Sequence, residues 1–396
     1  MEILPQSMTK GKYIGVLACL MLPLCARGQE IAVKTSEHFF LDTPYITDLV
    51  TGRHSFEAFD VSIGWRTDGS EAAEMFGHPR LGIGFSYADF GRVECVPGSR
   101  MGDSYSLYGF FMRDFLHGRV FSAGYSMELG GALMTHYYHK TDNPHNRLYS
   151  GPFAFHVKGG LYVRAQLTPR WAVTLEGDYR HNSSARLFIP NAGINSMGFA
   201  LSARYAMSEK YLSPGGGRTS WPGHPLDSRW RFALYGGGGI HRCLAEYNAD
   251  KALAVSDRHD PYNPWFKGNI GLEAVWRYSR KTSTGVQLEL QYLSNTEILR
   301  VCDEILYDSK DNIYSPLSPG VCIIQDVYFG PMTAGIGVGA YIYRQVGEHE
   351  YHGPVYQKVN LRYYLPFLRS VFVGASLRAH YFSQVDYLEF NIGKVI

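Results

Sequence analysis

The sequence predicts an all-β protein: an antiparallel transmembrane β-barrel of 12–14 strands in the outer membrane of a Gram-negative bacterium, behind a cleaved N-terminal signal peptide. Three observations carry that reading. Two-residue alternation of apolar and polar side chains recurs from about residue 55 to the end, in segments of 9–15 residues that suit tilted membrane strands. Tight turns at 116–118, 168–170, 281–283 and 366–369 contrast with long polar loops at 137–154, 182–195, 243–264 and 297–323, the asymmetry of outer-membrane barrels. The 396 residues include 29 Tyr and 22 Phe against 19% charged residues, and such amphipathic rings gather where a side chain is apolar at one end and wet at the other.

The elements follow in chain order. Residues 1–28 read as an export signal: Lys10 and Lys12 precede an apolar run from Tyr13 to Ala26, and Ala26 and Gly28 supply the small residues of a cleavage site. Past that run no stretch approaches ~18 uninterrupted apolar residues, so spanning helices are excluded and a closed barrel is the remaining way to cross hydrocarbon. Residues 29–54 lack sustained alternation and read as a periplasmic lead segment. Residues 55–396 then hold fourteen alternating segments, from FEAFDVSIGW to DYLEFNIG. On that count the tight turns at 168–170 and 366–369 fall on opposite sides of the membrane, so a strand is missed, merged or split, and an even number is the firmer expectation.

Charge and cysteine content exclude other classes. The formal net charge is +2 with no long Lys/Arg run, which removes nucleic acid as a partner. Cys95, Cys243, Cys302 and Cys322 remain after the signal, in or beside loops, and an oxidising compartment permits a Cys302–Cys322 bridge. Their spacing gives no metal motif, and no cofactor is expected.

Chemistry concentrates in one hairpin. From Trp171 one strand face carries Val173, Leu175, Gly177, Tyr179, His181 and Ser183, while Ala172, Thr174, Glu176, Asp178 and Arg180 take the other. On the next strand Asn195, Met197, Phe199 and Leu201 share the outer face with the first set. A histidine and a serine two residues apart on one face have Cβ atoms ~6.5–7 Å apart, a gap an imidazole can span. Asn195 can hold the other ring nitrogen, and the loop between offers Asn191 and the Gly193 backbone to a developing oxyanion.

With these residues the chain resembles the outer-membrane lipid A 3-O-deacylases, or acyloxyacyl hydrolases, including their long Bacteroidetes-type members. The family signature is His-x-Ser-Asn, then Pro-Asn-x-Gly, then an acidic residue fourteen after the histidine; here His181, Asn182, Ser183 and Ser184 meet the first element, and Pro190, Asn191, Ala192 and Gly193 the second. The resemblance implies a metal-free serine-type carboxylic ester hydrolase in which Ser183 attacks, His181 is the base, and Asn191 with Gly193 and Ser184 stabilises the oxyanion. Its substrate would be lipid A of lipopolysaccharide in the outer leaflet, met at the lipid-facing barrel surface, and a homodimer is an allowed assembly. Two positions depart from the pattern: Ser184 replaces Asn, and Asn195 replaces the acid. Asn195 can orient the imidazole but cannot balance its charge. The alternatives are a barrel of the same ancestry without catalytic function, acting as a channel or binding scaffold, and a phospholipase using the same chemistry.

Overall fold

The computed structural model describes residues 29–67, 70–207, 230–254, 262–309, 312–368, 370–381 and 384–396; the expected signal peptide lies outside them. Instead of one cylinder of 12–14 strands, the chain forms two closed antiparallel barrels of eight strands each. The first comprises β1 (Glu30–Phe40), β2 (Ser55–Arg66), β3 (Arg80–Ala88), β4 (Ser104–His117), β5 (Phe121–Met134), β6 (Phe153–Gln166), β7 (Trp171–Ser183) and β8 (Ile194–Ala206). The second comprises β9 (Trp230–Arg242), β10 (Pro264–Arg277), β11 (Thr282–Leu293), β12 (Leu317–Phe329), β13 (Met332–Tyr341), β14 (Val355–Tyr364), β15 (Val371–His380) and β16 (Gln384–Val395). Periodicity marks which residues face out, but not which distant strands pair. Closure by β1 with β8 and by β9 with β16 joins segments far apart in sequence, so one cylinder and two look alike from alternation alone.

Two strands escape the alternation. Residues 30–40 are not a lead segment: β1 pairs along its length with both β2 and β8 and closes the first barrel. Its inward face carries Glu30, Lys34, Ser36 and His38, and its outward face includes Thr35 and Glu37 among apolar residues. Polar groups on both faces erase the signal. The second is β12, whose opening Ser318, Pro319 and Gly320 read as loop; Pro319 nevertheless stands opposite Leu290 of β11. Restoring β12 puts the turns after β6 and β14 on one side, which resolves the conflict in the strand count.

Outward residues such as Leu161, Phe199, Ile270 and Ile336 are exposed, as an outer-membrane barrel requires, while the interiors are polar and filled. In the first barrel Lys34 Nζ meets Glu128 Oε1 at 2.8 Å and Arg204 Nη1 meets Glu30 Oε1 at 3.0 Å. The void left between Lys34, Tyr108, Glu128 and Arg204 is about 10 Å³, room for roughly one water. In the second, Arg362 pairs with both oxygens of Glu273 at 2.9 and 2.8 Å, and Glu289 receives Arg378 at 2.9 Å together with Tyr235, Tyr356 and Lys358. Side chains close on each other in this way across these parts of both lumens.

The long connections fold on themselves. Helices Leu244–Ala252 and Thr296–Tyr307 pack together over the second barrel around Cys243, Leu293, Leu299, Cys302 and Val346. No disulfide joins Cys302 to Cys322: the first lies on the loop helix and the second on β12, both buried. Asp303 accepts from the Glu348 and His349 N–H groups and from Tyr314 Oη, which makes it a loop brace.

The barrels touch at both ends. At the short-turn end Glu71 pairs with Arg280, and the Phe329 ring lies 5.4 Å from Phe76 and 5.9 Å from Phe111. At the long-loop end the β7–β8 loop of the first barrel reaches the second, where Arg186 Nη1 lies 3.1 Å from both carboxylate oxygens of Glu350.

Candidate active site

The strand register sets the site. His181 stands directly opposite Asn195 across the β7–β8 pair, and Ser183 ends β7 two residues farther along the same face. Their strand neighbours on that face, Tyr179 and Leu175, are exposed, whereas Arg180 and Asn182 between them point into the barrel and are buried. His181 and Ser183 thus share the outward face by alternation alone. Ser183 is only 7% exposed because the following loop folds over it.

His181 Nδ1 lies 2.7 Å from Asn195 Oδ1, and the same oxygen accepts the Tyr179 hydroxyl at 2.6 Å. An amide oxygen on Nδ1 selects the ring form that donates from Nδ1, and in the neutral imidazole that form leaves Nε2 as the acceptor. Ser183 Oγ accepts from Asn191 Nδ2 at 3.0 Å and from the Ala185 N–H at 3.2 Å. No hydrogen bond joins the imidazole to the serine hydroxyl in this arrangement. Both nevertheless close on Gly193, where the position a Cβ would take is 3.3 Å from Ser183 Cβ and 3.4 Å from His181 Cε1. Gly193 has φ +71, and a Cβ on it would stand 2.9 Å from the Asn182 carbonyl oxygen, so both its backbone and its space demand glycine.

Two expected oxyanion donors are engaged elsewhere. The Ser184 N–H donates to Asn191 Oδ1 at 2.9 Å and its hydroxyl to the Phe188 carbonyl at 3.2 Å, while the Gly193 N–H donates to the Leu148 carbonyl at 3.0 Å. Their role is to shape the loop. By taking Asn191 Oδ1, Ser184 turns Nδ2 of the same amide toward Ser183. The donors that reach Ser183 are Asn191 and Ala185, and Ala185 is a backbone donor that no sequence pattern announces. Tyr179 was also missed, although its place on the His181 face was readable from alternation.

Below the site, toward the short-turn end, the outward face of the first barrel is hollowed. Phe39, Leu161, Tyr179, Met197 and Phe199 surround Gly159 and Gly177 in a groove of about 700 Å³ lined mostly by apolar surface. A Cβ at Gly159 would find its nearest atom 4.0 Å away, and one at Gly177 would meet the Phe199 ring at 3.8 Å, so the groove is open because those side chains are absent. Ser183 lies about 13 Å along the strand from Tyr179, at the head of this groove.

Two family models match the chain. Residues 57–204 match the model described as lipid A 3-O-deacylase, and residues 228–395 match the acyloxyacyl hydrolase C-terminal domain. The second matched stretch coincides with the second barrel, and the first runs from the start of β2 to the end of β8, leaving out only β1 of the first barrel. Among solved structures, the outer membrane enzyme PagL aligns at 15% identity over 45% of this chain and 99% of its own, with a TM-score of 0.29. Neisserial surface protein A aligns at 14% over 45% and 96%, also at 0.29, and a mutant of Rh. blastica porin at 7% over 93% and 99%, at 0.18. No curated protein matches the chain.

Proposed function

The chain belongs to the lipid A 3-O-deacylase (acyloxyacyl hydrolase) family, and on that premise we infer that it is an outer-membrane esterase that removes an acyl chain from lipid A at Ser183. The observation that carries this reading is the anchored imidazole: His181 is fixed through Nδ1 by Asn195, beside a serine at the head of an apolar groove on the outward face.

The chemistry runs through this chain's own groups. When an ester enters, the Ser183 hydroxyl turns from its loop donors toward His181 Nε2, a contact that apo sites often close only on binding substrate. Oγ attacks the carbonyl carbon, Nε2 takes its proton, and the carbonyl oxygen becomes an oxyanion next to Asn191 Nδ2 and the Ala185 N–H. The bond to the sugar oxygen breaks, and the imidazolium returns the proton to that oxygen. Water then attacks the acyl-serine by the same route, releasing the fatty acid. The groove takes the acyl chain downward into the bilayer while the ester stays at headgroup depth, so lipid reaches Ser183 from the membrane side.

Purified chain given lipid A and glycerophospholipid in mixed micelles is expected to release fatty acid from lipid A alone, read by mass spectrometry. Equal release from both would make it a general phospholipase, and release from neither would overturn the esterase reading. The groove supplies its own test. Gly177→Phe fits the barrel but fills the groove, and is expected to lower turnover of long-chain substrate about tenfold while the barrel still folds. Unchanged turnover would remove the groove from the account.

A further inference from the structure

We propose that Glu350 of the second barrel is a positioning residue for the active site of the first: by holding Arg186 it fixes the turn whose Ala185 N–H faces Ser183. The proposal rests on the esterase reading above.

The β7–β8 loop is held in two halves by different partners. Its second half belongs to the first barrel, since the Ala192 N–H donates to the Arg147 carbonyl at 3.1 Å and Gly193 to Leu148 at 3.0 Å. Its first half is gripped by the second barrel at consecutive points. The Arg186 side chain pairs with Glu350, the Arg186 carbonyl accepts the Arg242 N–H at 2.9 Å, and the Arg242 guanidinium stands 5.0 Å over the Phe188 ring.

The gripped segment is also the strained one. Ala185 has φ 51 and Arg186 φ 62, two successive left-handed residues with side chains, a conformation L-residues leave unless the surroundings enforce it. Arg186 is 9% exposed and Glu350 1%, so the pair is shielded from water and holds more firmly than a surface ion pair. Burial opposes the charged form of Glu350, yet the attraction of Arg186 keeps its carboxyl well below the usual range, and it is therefore ionised. If the pair is broken, the first-barrel hydrogen bonds left on this turn among the described residues are the Ala185 N–H to Ser183 Oγ and the Leu187 N–H to Ser184 O at 2.9 Å. The second barrel, which carries no His-x-Ser hairpin of its own, thereby acts in cis on the chemistry of the first.

The test uses the full chain in detergent. Glu350→Gln is expected to lower kcat for lipid A about 30-fold with KM changed less than about twofold, since the acyl groove is untouched while the oxyanion donor drifts. The double variant Arg186→Glu/Glu350→Arg is expected to recover to within about fivefold of wild type. Arg280→Gln, which breaks the ion pair between the barrels at the opposite end, is expected to leave kcat unchanged. Hydrogen exchange of residues 184–188 should rise in Glu350→Gln and return toward wild type in the swap, a readout independent of turnover. Exchange or kcat unaltered in Glu350→Gln, in wild-type chain that does deacylate lipid A, overturns the positioning role alone. An equal loss in Arg280→Gln also overturns it, in favour of general loosening. Wild-type chain that does not deacylate lipid A overturns the esterase reading and the positioning role with it.

Discussion

Ser183→Ala is expected to abolish release of fatty acid from lipid A, a fall of about 10⁴-fold or more, because the residual rate then depends on binding and oxyanion donors without a nucleophile. The folded barrel should survive. The lost hydroxyl accepts only from Asn191 Nδ2 and the Ala185 N–H, and leaving two such donors unpaired costs roughly 1–3 kcal/mol each against a sixteen-strand hydrogen-bond network. Heat-modifiable migration on gels checks that point. Ser184→Ala is the matched control: its hydroxyl donates to the Phe188 carbonyl and its backbone N–H, which orients Asn191, is retained, so activity should fall only severalfold. If Ser183→Ala retains wild-type turnover, the nucleophile has been misassigned.

The second large effect lies at Asn195, where substitutions should act in opposite directions. Replacing a triad acid by its amide can cost about 10⁴-fold when the amide presents its NH₂ and forces the wrong histidine tautomer. Here Asn195 presents Oδ1 to both His181 Nδ1 and Tyr179 Oη, so the productive tautomer is kept and only the missing charge is felt. Asn195→Asp restores that charge opposite the forming imidazolium and is expected to raise kcat about tenfold, for roughly 1.4 kcal/mol of transition-state stabilisation. Asn195→Leu removes the acceptor altogether, freeing the ring to turn and change tautomer, and is expected to lower kcat about 10³-fold. Steady-state rates of both variants on lipid A decide the point. A fall in Asn195→Asp as deep as that in Asn195→Leu would show that the position does not support the histidine.

The sequence makes most strands readable because outer-membrane barrels impose strict alternation wherever one face is apolar. It fails at β1 and β12 for different reasons. In β1 outward Thr35 and Glu37 break the apolar face, while in β12 a Ser-Pro-Gly opening imitates a loop. Closure into two barrels is invisible because it depends on pairings such as Glu30 with Ala206, which no local window contains. The hairpin around Ser183 is legible for the converse reason: the two-residue period already puts His181, Ser183 and Asn195 on one side, and Asn191 lies in the short loop between them. What stays hidden is what carries no side-chain signature, such as the Ala185 N–H, or what joins distant residues, such as Arg186 with Glu350. Gly193 is expected as a donor from its place in the loop and Ser184 from the family resemblance, but their N–H groups go to Leu148 and Asn191. Proximity in sequence cannot say which acceptor a backbone N–H will find.

The most direct measurement is acid-quenched peptide mapping of the full chain after brief exposure to lipid A. The account predicts an added fatty-acyl mass on the peptide bearing Ser183, present in wild type and absent in Ser183→Ala. An acyl group on another residue, or turnover of lipid A without any acyl-protein at the earliest times resolved, would contradict it.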